Sequence, residues 1–230
     1  MKRILITCFE SAKMRKKTDW VTEEAPLTIH ANKKKVASLL ASPKDLKVLV
    51  LGHLYTSGVI KQLSDIKSLC IDSKQGSARV QVSPSHSLPK DKKDFLGISV
   101  KPSKIIELMQ KFHKSSREFI KTGGVHSAAL CDKDKILIFK ADLGRHNAFD
   151  KVVGDALLKK IDFKDKIMLT SGRIPSEILN KVLRCRIPVI ASVSAPTIHA
   201  VRTARKQNIT LIGFLRGQKM NIYSAEQRIK

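Results

Sequence analysis

Acidic side chains are scarce in this 230-residue chain: 20 Asp and Glu stand against 44 Lys and Arg, a formal charge of +24. A surface that positive attracts anions, so the expected partner classes are nucleic acid, phosphorylated small molecules and acidic proteins. Scattered lysines also serve simply to keep a chain soluble. Aromatic residues are few, at 5%, and no RNA module is recognisable, which counts against a nucleic-acid binder that stacks bases on rings. The four cysteines, Cys8, Cys70, Cys131 and Cys185, form no CxxC pair and no His-flanked cluster. A structural zinc site is thereby excluded, and reduced thiols in a cytoplasmic protein are expected. No apolar run approaches the ~20 residues that cross a bilayer. Met1 to Glu10 is too short and too soon polar for a signal peptide. Low-complexity tracts, solenoid repeats, a Walker loop and a GxGxxG fingerprint are all missing, so neither ATP nor a nicotinamide cofactor is specified.

What is present is enough apolar material, 42% of residues, for a sizeable core. Pro26 to Ala31 alternates as a strand, Asn32 and Lys33 offer a turn, and Val36 to Leu40 returns as a second strand. A helix follows, with Ser42 as N-cap, Pro43 at its first position, Leu46, Leu49, Val50 and Leu54 on one face, and Gly58 at its end. Residues 61 to 103 are weakly patterned and polar, with Pro84, Pro89 and the charged stretch Lys90 to Asp94. They read as poorly fixed strands and a linker. This places a small α+β domain with linker at 1–103 and a second domain at 104–230. Ile105, Ile106, Met109 and Phe112 recur at helical spacing. Beyond them, strands at Ile136 to Ala141, Lys166 to Thr170, Pro188 to Val193 and Ile209 to Leu215 alternate with helices near 147–160, 175–184 and 196–206. That order predicts an α/β domain with a largely parallel sheet.

Each of those strands runs into a distinctive cluster. The clusters are Asp142-Leu143-Gly144-Arg145-His146-Asn147, Ser171-Gly172-Arg173, Ser194-Ala195-Pro196-Thr197 and Arg216-Gly217-Gln218-Lys219. In a parallel sheet all carboxyl ends share the edge where open α/β sheets bind ligands. Three clusters also open a helix, adding free N–H groups and the positive end of the helix dipole. Glycines at 144, 172 and 217 permit close backbone approach, and Arg145, Arg173, Arg216 and Lys219 supply cations. Together they suit a nucleotide or pyrophosphate. Structural readings stand beside this one: Asp142, Ser171 and Thr197 as helix caps, and His146 as a helix-start histidine. Lys151 either reaches the anion or solvates its helix. His126, after Gly123-Gly124-Val125, is either a general base or ligand donor near pH 7 or a structural histidine. A zinc deaminase would need His-x-Glu and Pro-Cys-x-x-Cys. Here Ser127 and Ala128 follow His126 and no cysteine pair exists, so no zinc or other metal site is expected.

Seven stretches carry a resemblance: Thr122 to Leu130, Asp142 to Lys151, Ser171 to Arg173, Ser194 to Thr197, Gly213 to Arg216, Glu24 to Leu27, and Ser42 to Leu46 leading to Gly58-Val59-Ile60. On these residues the sequence resembles the formate dehydrogenase accessory sulfurtransferase family, FdhD. The resemblance implies a cytidine-deaminase-like α/β domain without zinc, preceded by a smaller α+β domain, and commonly a homodimer. It implies sulfur taken from a cysteine desulfurase and passed to the molybdenum cofactor before insertion into formate dehydrogenase apoenzyme. The substrate bound would be molybdenum bis(molybdopterin guanine dinucleotide), and Phe214, Leu215, Arg216, Gly217, Gln218 and Lys219 match the family's cofactor-binding segment. The family carries persulfide on a CxxC motif, whereas residues 85 to 121 contain no cysteine here. Ser115 and Ser116 cannot replace a thiolate. Cys131, the thiol nearest His126 in sequence, is the remaining catalytic candidate, or a small buried hydrophobe on a strand. Three functions follow as expectations: cofactor binding with sulfur transfer, a cofactor-binding chaperone without sulfur transfer, and a basic nucleic-acid binder.

Overall fold

The computed structural model describes residues 1–83 and 98–230; the expected linker around Pro84, Pro89 and Lys90 to Asp94 lies outside them. The chain forms a mixed α/β fold of three sheets and, among the described residues, six α-helices. No helix among these residues is long and apolar enough to cross a membrane.

A hairpin of β1 (Lys2–Glu10) and β2 (Lys13–Val21) comes first. Ser11 and Ala12 between them both take positive φ, the turn whose twist matches paired strands. Most of its side chains are exposed. Ile6, Cys8 and Trp20 are half-buried, and the Trp20 ring lies under Arg3 and Lys121, 5.6 and 5.5 Å from the centroid.

A four-stranded sheet follows, in the order β4 (Lys34–Ala41), β3 (Ala25–Ala31), β6 (Ser77–Val82), β5 (Ile66–Asp72). The predicted β3, Asn32-Lys33 turn and β4 are all present, with both turn residues at positive φ. β5 and β6, read only as poorly fixed from sequence, are regular strands. Their inward set, Leu69, Ile71, Ala78 and Val80, is short, and Ser68, Cys70, Arg79 and Gln81 face the other way. Helix α1 (Leu46–Thr56) covers the inner face through Leu46, Leu49, Val50 and Leu54. It starts later than the Ser42-Pro43 signal predicts. Asp45 is its N-cap residue, and the Ser42 N–H instead donates to Asp142 Oδ2 at 3.0 Å.

The six-stranded sheet has the order β12 (Lys219–Ser224), β11 (Thr210–Arg216), β10 (Val189–Ser192), β9 (Ile167–Thr170), β7 (His126–Cys131), β8 (Ile136–Asp142). β9, β10 and β11 are parallel neighbours, as expected. β7 is the departure: it inserts antiparallel between β9 and β8, so β8 runs with the parallel set without touching it. Helices α4 (Arg145–Leu158), α5 (Ser176–Cys185) and α6 (Ile198–Lys206) pack one face with Leu130, Met168, Ile190 and Leu211. Helix α2 (Pro102–Ser115) packs the other through Ile105, Leu108, Met109 and Phe112, and the short α3 (Arg117–Thr122) leads into β7.

Helices α1 and α4 join the two parts by backbone contact. A Cβ on Gly52 would lie 1.8 Å from Asp150 O, and one on Gly154 1.9 Å from Val48 O. Around this crossing are two buried polar networks. Asp142 and Lys151, both without solvent exposure, form an ion pair of 2.6 Å. Asp142 also accepts from Gly144 N–H and Asn147 Nδ2, and Lys151 donates to Ser42 O at 3.3 Å. Next to Lys151 on α4, Asp150 meets His53 Nδ1 at 3.2 Å, the Thr56 hydroxyl at 2.8 Å and Lys181. Burial alone pushes the Asp150 carboxyl up, but the His53 hydrogen bond and the Lys181 charge outweigh it and the net direction is down. Its stabilising contribution is therefore present above the ordinary carboxylate range and lost as pH falls through it.

Lys151→Met, which leaves Asp142 buried without its counter-ion, is expected to cost about 3–5 kcal/mol in denaturant unfolding. Gly154→Ala is expected to lower stability by about 1–3 kcal/mol, because its methyl group forces the helices apart; unchanged midpoints for both would remove this crossing as the joint.

Candidate functional site

Because β8, β9, β10 and β11 run the same way, their carboxyl ends meet at one edge of the large sheet, together with the amino end of antiparallel β7. Helices α4, α5 and α6 begin from this edge at N-cap residues Gly144, Pro175 and Thr197, so the first-turn N–H groups of three helices point there. A cleft of about 370 Å³ opens in the edge, lined by Ser116, Gly124, His126, Leu143, Ser171 and Val193 among others.

His126 is the first residue of β7, directly across from Asp142, and its Nδ1 lies 3.2 Å from Ser171 Oγ. Ser171 Oγ also accepts the Ser127 N–H at 2.9 Å, and the Ser171 N–H donates to Ser127 O at 3.0 Å. Ser127 and Ser116 share a hydroxyl hydrogen bond of 2.7 Å. Burial, and then the Arg145 charge, hold His126 below the ordinary histidine range. Its imidazole is thus neutral at pH 7, able both to donate and to accept. Burial also lowers His113, another lining residue. His146 lies 3.4 Å from Glu177, yet burial, Lys181 and Arg145 together lower it.

Arg145 lies across Gly172. A Cβ there would come within 2.9 Å of Arg145 Cβ and Cδ, so a larger residue would displace the arginine. The Nε of Arg145 is sealed from solvent and has no hydrogen-bond partner among the described residues. A buried guanidinium nitrogen left unpaired is costly, and an anion at this edge is the ligand that would satisfy it.

The third and fourth clusters are fastened together. The Phe214 N–H donates to Ser194 O at 3.2 Å, and Arg216 Nε donates to Val193 O at 2.8 Å. Phe214 sits at a break in the β11/β12 register with φ +51°, rare for a bulky residue, and its ring is 41% exposed, with the Arg216 guanidinium 6.0 Å from its centroid. Leu215 is core, while Gly217, Gln218 and Lys219 make an exposed turn. Ala195 and Thr197 bond Ile174, joining the second and third loops. Thr197 also caps α6, its Oγ1 accepting the Ala200 N–H, and Pro196 bridges Ile174. Arg173 is exposed.

Three of the expected ligand residues are placed otherwise. Asp142 and Asn147 are buried, Lys151 is fully enclosed, and all three bond one another or the β4–α1 connection. Cys131 is fully buried, and burial pushes its thiol up to about 12, so it remains protonated and out of reach. Ser116 and His113 were not legible from sequence as site residues. They reach the cleft from α2 and from the turn into α3 at Ser116, which has no Gly or Pro to mark it; Gly123, at φ +63°, is the C-cap at the other end of α3.

Comparison with known proteins agrees with the motifs. The family model FdhD/NarQ matches residues 22–98 and 86–230. The sulfur carrier protein FdhD of Bacillus pumilus is 37% identical over 99% of this chain and 97% of its own length. That of Geobacillus kaustophilus is 36% identical with the same coverage, and that of Bacillus subtilis 34% identical over 96% of this chain and 95% of its own. A crystal structure from Desulfotalea psychrophila, described as a candidate formate dehydrogenase accessory protein, superposes with a TM-score of 0.85 at 25% identity, covering 100% of this chain and 99% of that one. With matches of this length in sequence and in structure, the chain belongs to the FdhD/NarQ family.

Proposed function

We propose that this chain is a formate dehydrogenase accessory protein that binds molybdenum bis(molybdopterin guanine dinucleotide) as its substrate at the strand-end edge and takes part in its sulfuration. The observation that carries the reading is the unsatisfied Arg145 Nε beside three converging helix N-termini. That is an environment for phosphate oxygens. The exposed Phe214 ring beside Arg216 offers a base a stacking surface. His126 and Ser171 supply neutral hydrogen-bonding groups where a charged one would compete with the phosphates. The names of the relatives support the sulfur-carrying part of the reading.

In this proposal residues 104–230 are a zinc-free cytidine-deaminase-like domain and 1–103 the smaller one. The protein works in the cytoplasm as a homodimer, taking sulfur from a cysteine desulfurase and serving formate dehydrogenase apoenzyme. The runner-up, a cofactor chaperone without sulfur transfer, gains from the burial of Cys131.

Calorimetric titration with guanosine diphosphate, with adenosine diphosphate beside it and at two salt concentrations, tests the site. Guanine-selective binding that survives salt is expected; binding of both nucleotides that salt abolishes would reduce the edge to a general cation surface. Replacing Arg216 and Lys219 together by Ala is expected to weaken guanosine diphosphate by more than ~1 kcal/mol, and equal affinity would remove both from the site.

A further inference from the structure

Carrying sulfane sulfur requires a thiolate that a donor can reach, and all four cysteines of this chain are among the described residues. Cys131 and Cys185 are buried in the core, and burial pushes both thiols strongly upward. Cys8 is half-buried on β1 of the exposed hairpin, opposite Arg15. Cys70 is exposed. It lies in a cleft of about 550 Å³ on the face of the small sheet away from α1, lined also by His30, Lys33, Ser77, Arg79 and Gln81.

The strand register assembles this cleft. Cys70 on β5 is directly opposite Arg79 on β6, and Arg79 is directly opposite His30 on β3. Residues so paired hold their Cβ atoms about 4.5–5.5 Å apart, so thiol, guanidinium and imidazole form one row across three strands. Lys33 adds a second cation from the β3–β4 turn. Neither Arg79 nor Lys33 has an ion-pair partner among the described residues. Ser77 is a separate feature of the same cleft: the residue lines it, while its Oγ is cut off from solvent and makes no hydrogen bond among the described residues. A sealed polar atom without a partner is what a bound molecule with a matching donor or acceptor would satisfy.

We propose that Cys70 is a sulfur-loading site, taking sulfane sulfur from a small anionic cysteinyl persulfide held by Arg79 and Lys33. The inference rests on the sulfur-carrier reading above and assigns the residue that does the carrying. Cys70 gives its proton to water, and its thiolate attacks the terminal sulfur of the donor R–S–SH. The S–S bond of the donor breaks as the Cys70 S–S bond forms. The leaving R–S⁻ departs with the electron pair and takes a proton from water. Cys70 ends as Cys70–S–SH, the donor as R–SH, and no oxidant or reductant is consumed. Arg79, across from Cys70, gives a counter-charge first to the attacking thiolate and then to the leaving one.

The test is loading of the full chain with glutathione persulfide at pH 7, followed by cyanide-releasable sulfur and by peptide mass spectrometry for one added sulfur atom. The wild type is compared with Cys70→Ser, Cys8→Ser and Arg79→Gln, each checked for an unchanged thermal transition. Expected are sulfur on Cys70, loss of most of it in Cys70→Ser, retention in Cys8→Ser, and several-fold slower loading in Arg79→Gln. The same label placed equally on all four cysteines after unfolding in urea would mark the native selectivity as a property of the cleft. Sulfur mainly on Cys8, or loading indifferent to Arg79, overturns the Cys70 site and leaves the sulfur-carrier reading intact. Sulfur on no cysteine of the folded wild type overturns both.

Discussion

Asp142 and Lys151 hold each other at 2.6 Å with no solvent exposure on either side chain, and the positions of both the small sheet and the ligand-facing edge follow from that contact. Two charges removed from solvent are a net gain only when their other hydrogen-bonding positions are also filled. Here Ser42, Gly144 and Asn147 fill those of the carboxylate and Ser42 O meets the ammonium. The partners come from the β4–α1 connection on one side and from the β8–α4 turn on the other. The pair thereby fixes where α4 begins, and with it the place of Arg145. Asp150, the residue before Lys151, repeats the arrangement with His53 and Thr56 from α1 and Lys181 from α5. Gly52 and Gly154 let the two helices come close enough for both networks to close.

Elements whose own residues decide them were legible in the sequence. β3, the Asn32-Lys33 turn and β4 declare themselves by alternation and turn chemistry, and α4, α5 and α6 by spacing and position after strands. What was not legible depends on distant partners. Ser42-Pro43 is a good local helix start, but the Ser42 N–H is claimed by a carboxylate a hundred residues away, so α1 begins at Leu46. β7 has no local mark of its direction, since pairing with β8 and β9 decides it. The strand-end clusters were readable because connectivity places them at one edge. Which of their polar residues face outward was not, because an Asp or Asn beside a Gly looks the same in sequence whether it meets a ligand or seals a buried lysine. Nothing in the sequence around Cys70 marks it, because its neighbours, Arg79 and His30, come from two other strands.

The small-sheet cleft is lined by Arg79 and Lys33, and Arg145 lies at the start of α4 beside the large-sheet edge; none of the three has a carboxylate partner among the described residues. Elsewhere several of the few acids are already engaged, as where Glu107 pairs with Lys104 and Lys111 on α2 and Asp45 with Lys140. The excess of positive charge is therefore most consequential where geometry keeps acids away and backbone N–H groups add to the field. The two halves differ in kind, since the large-sheet cleft is walled by strand ends and by residues of α2 and α3, with two histidines and three serines among them, and the small-sheet cleft by side chains of an open sheet face.

The β1–β2 hairpin pairs with no third strand among the described residues, so both of its outer edges present unpaired backbone groups. Leu5, Phe9 and Met14 are each about two-thirds or more exposed on it. Edges like these template aggregation when two copies meet. Six cations, Lys2, Arg3, Lys13, Arg15, Lys16 and Lys17, are distributed along the two strands against only Glu10 and Asp19. Their mutual repulsion works as a gatekeeper: it keeps one hairpin from adding to the next in a growing sheet, and any surface that does seat against the ribbon must bring the negative charge that this chain lacks.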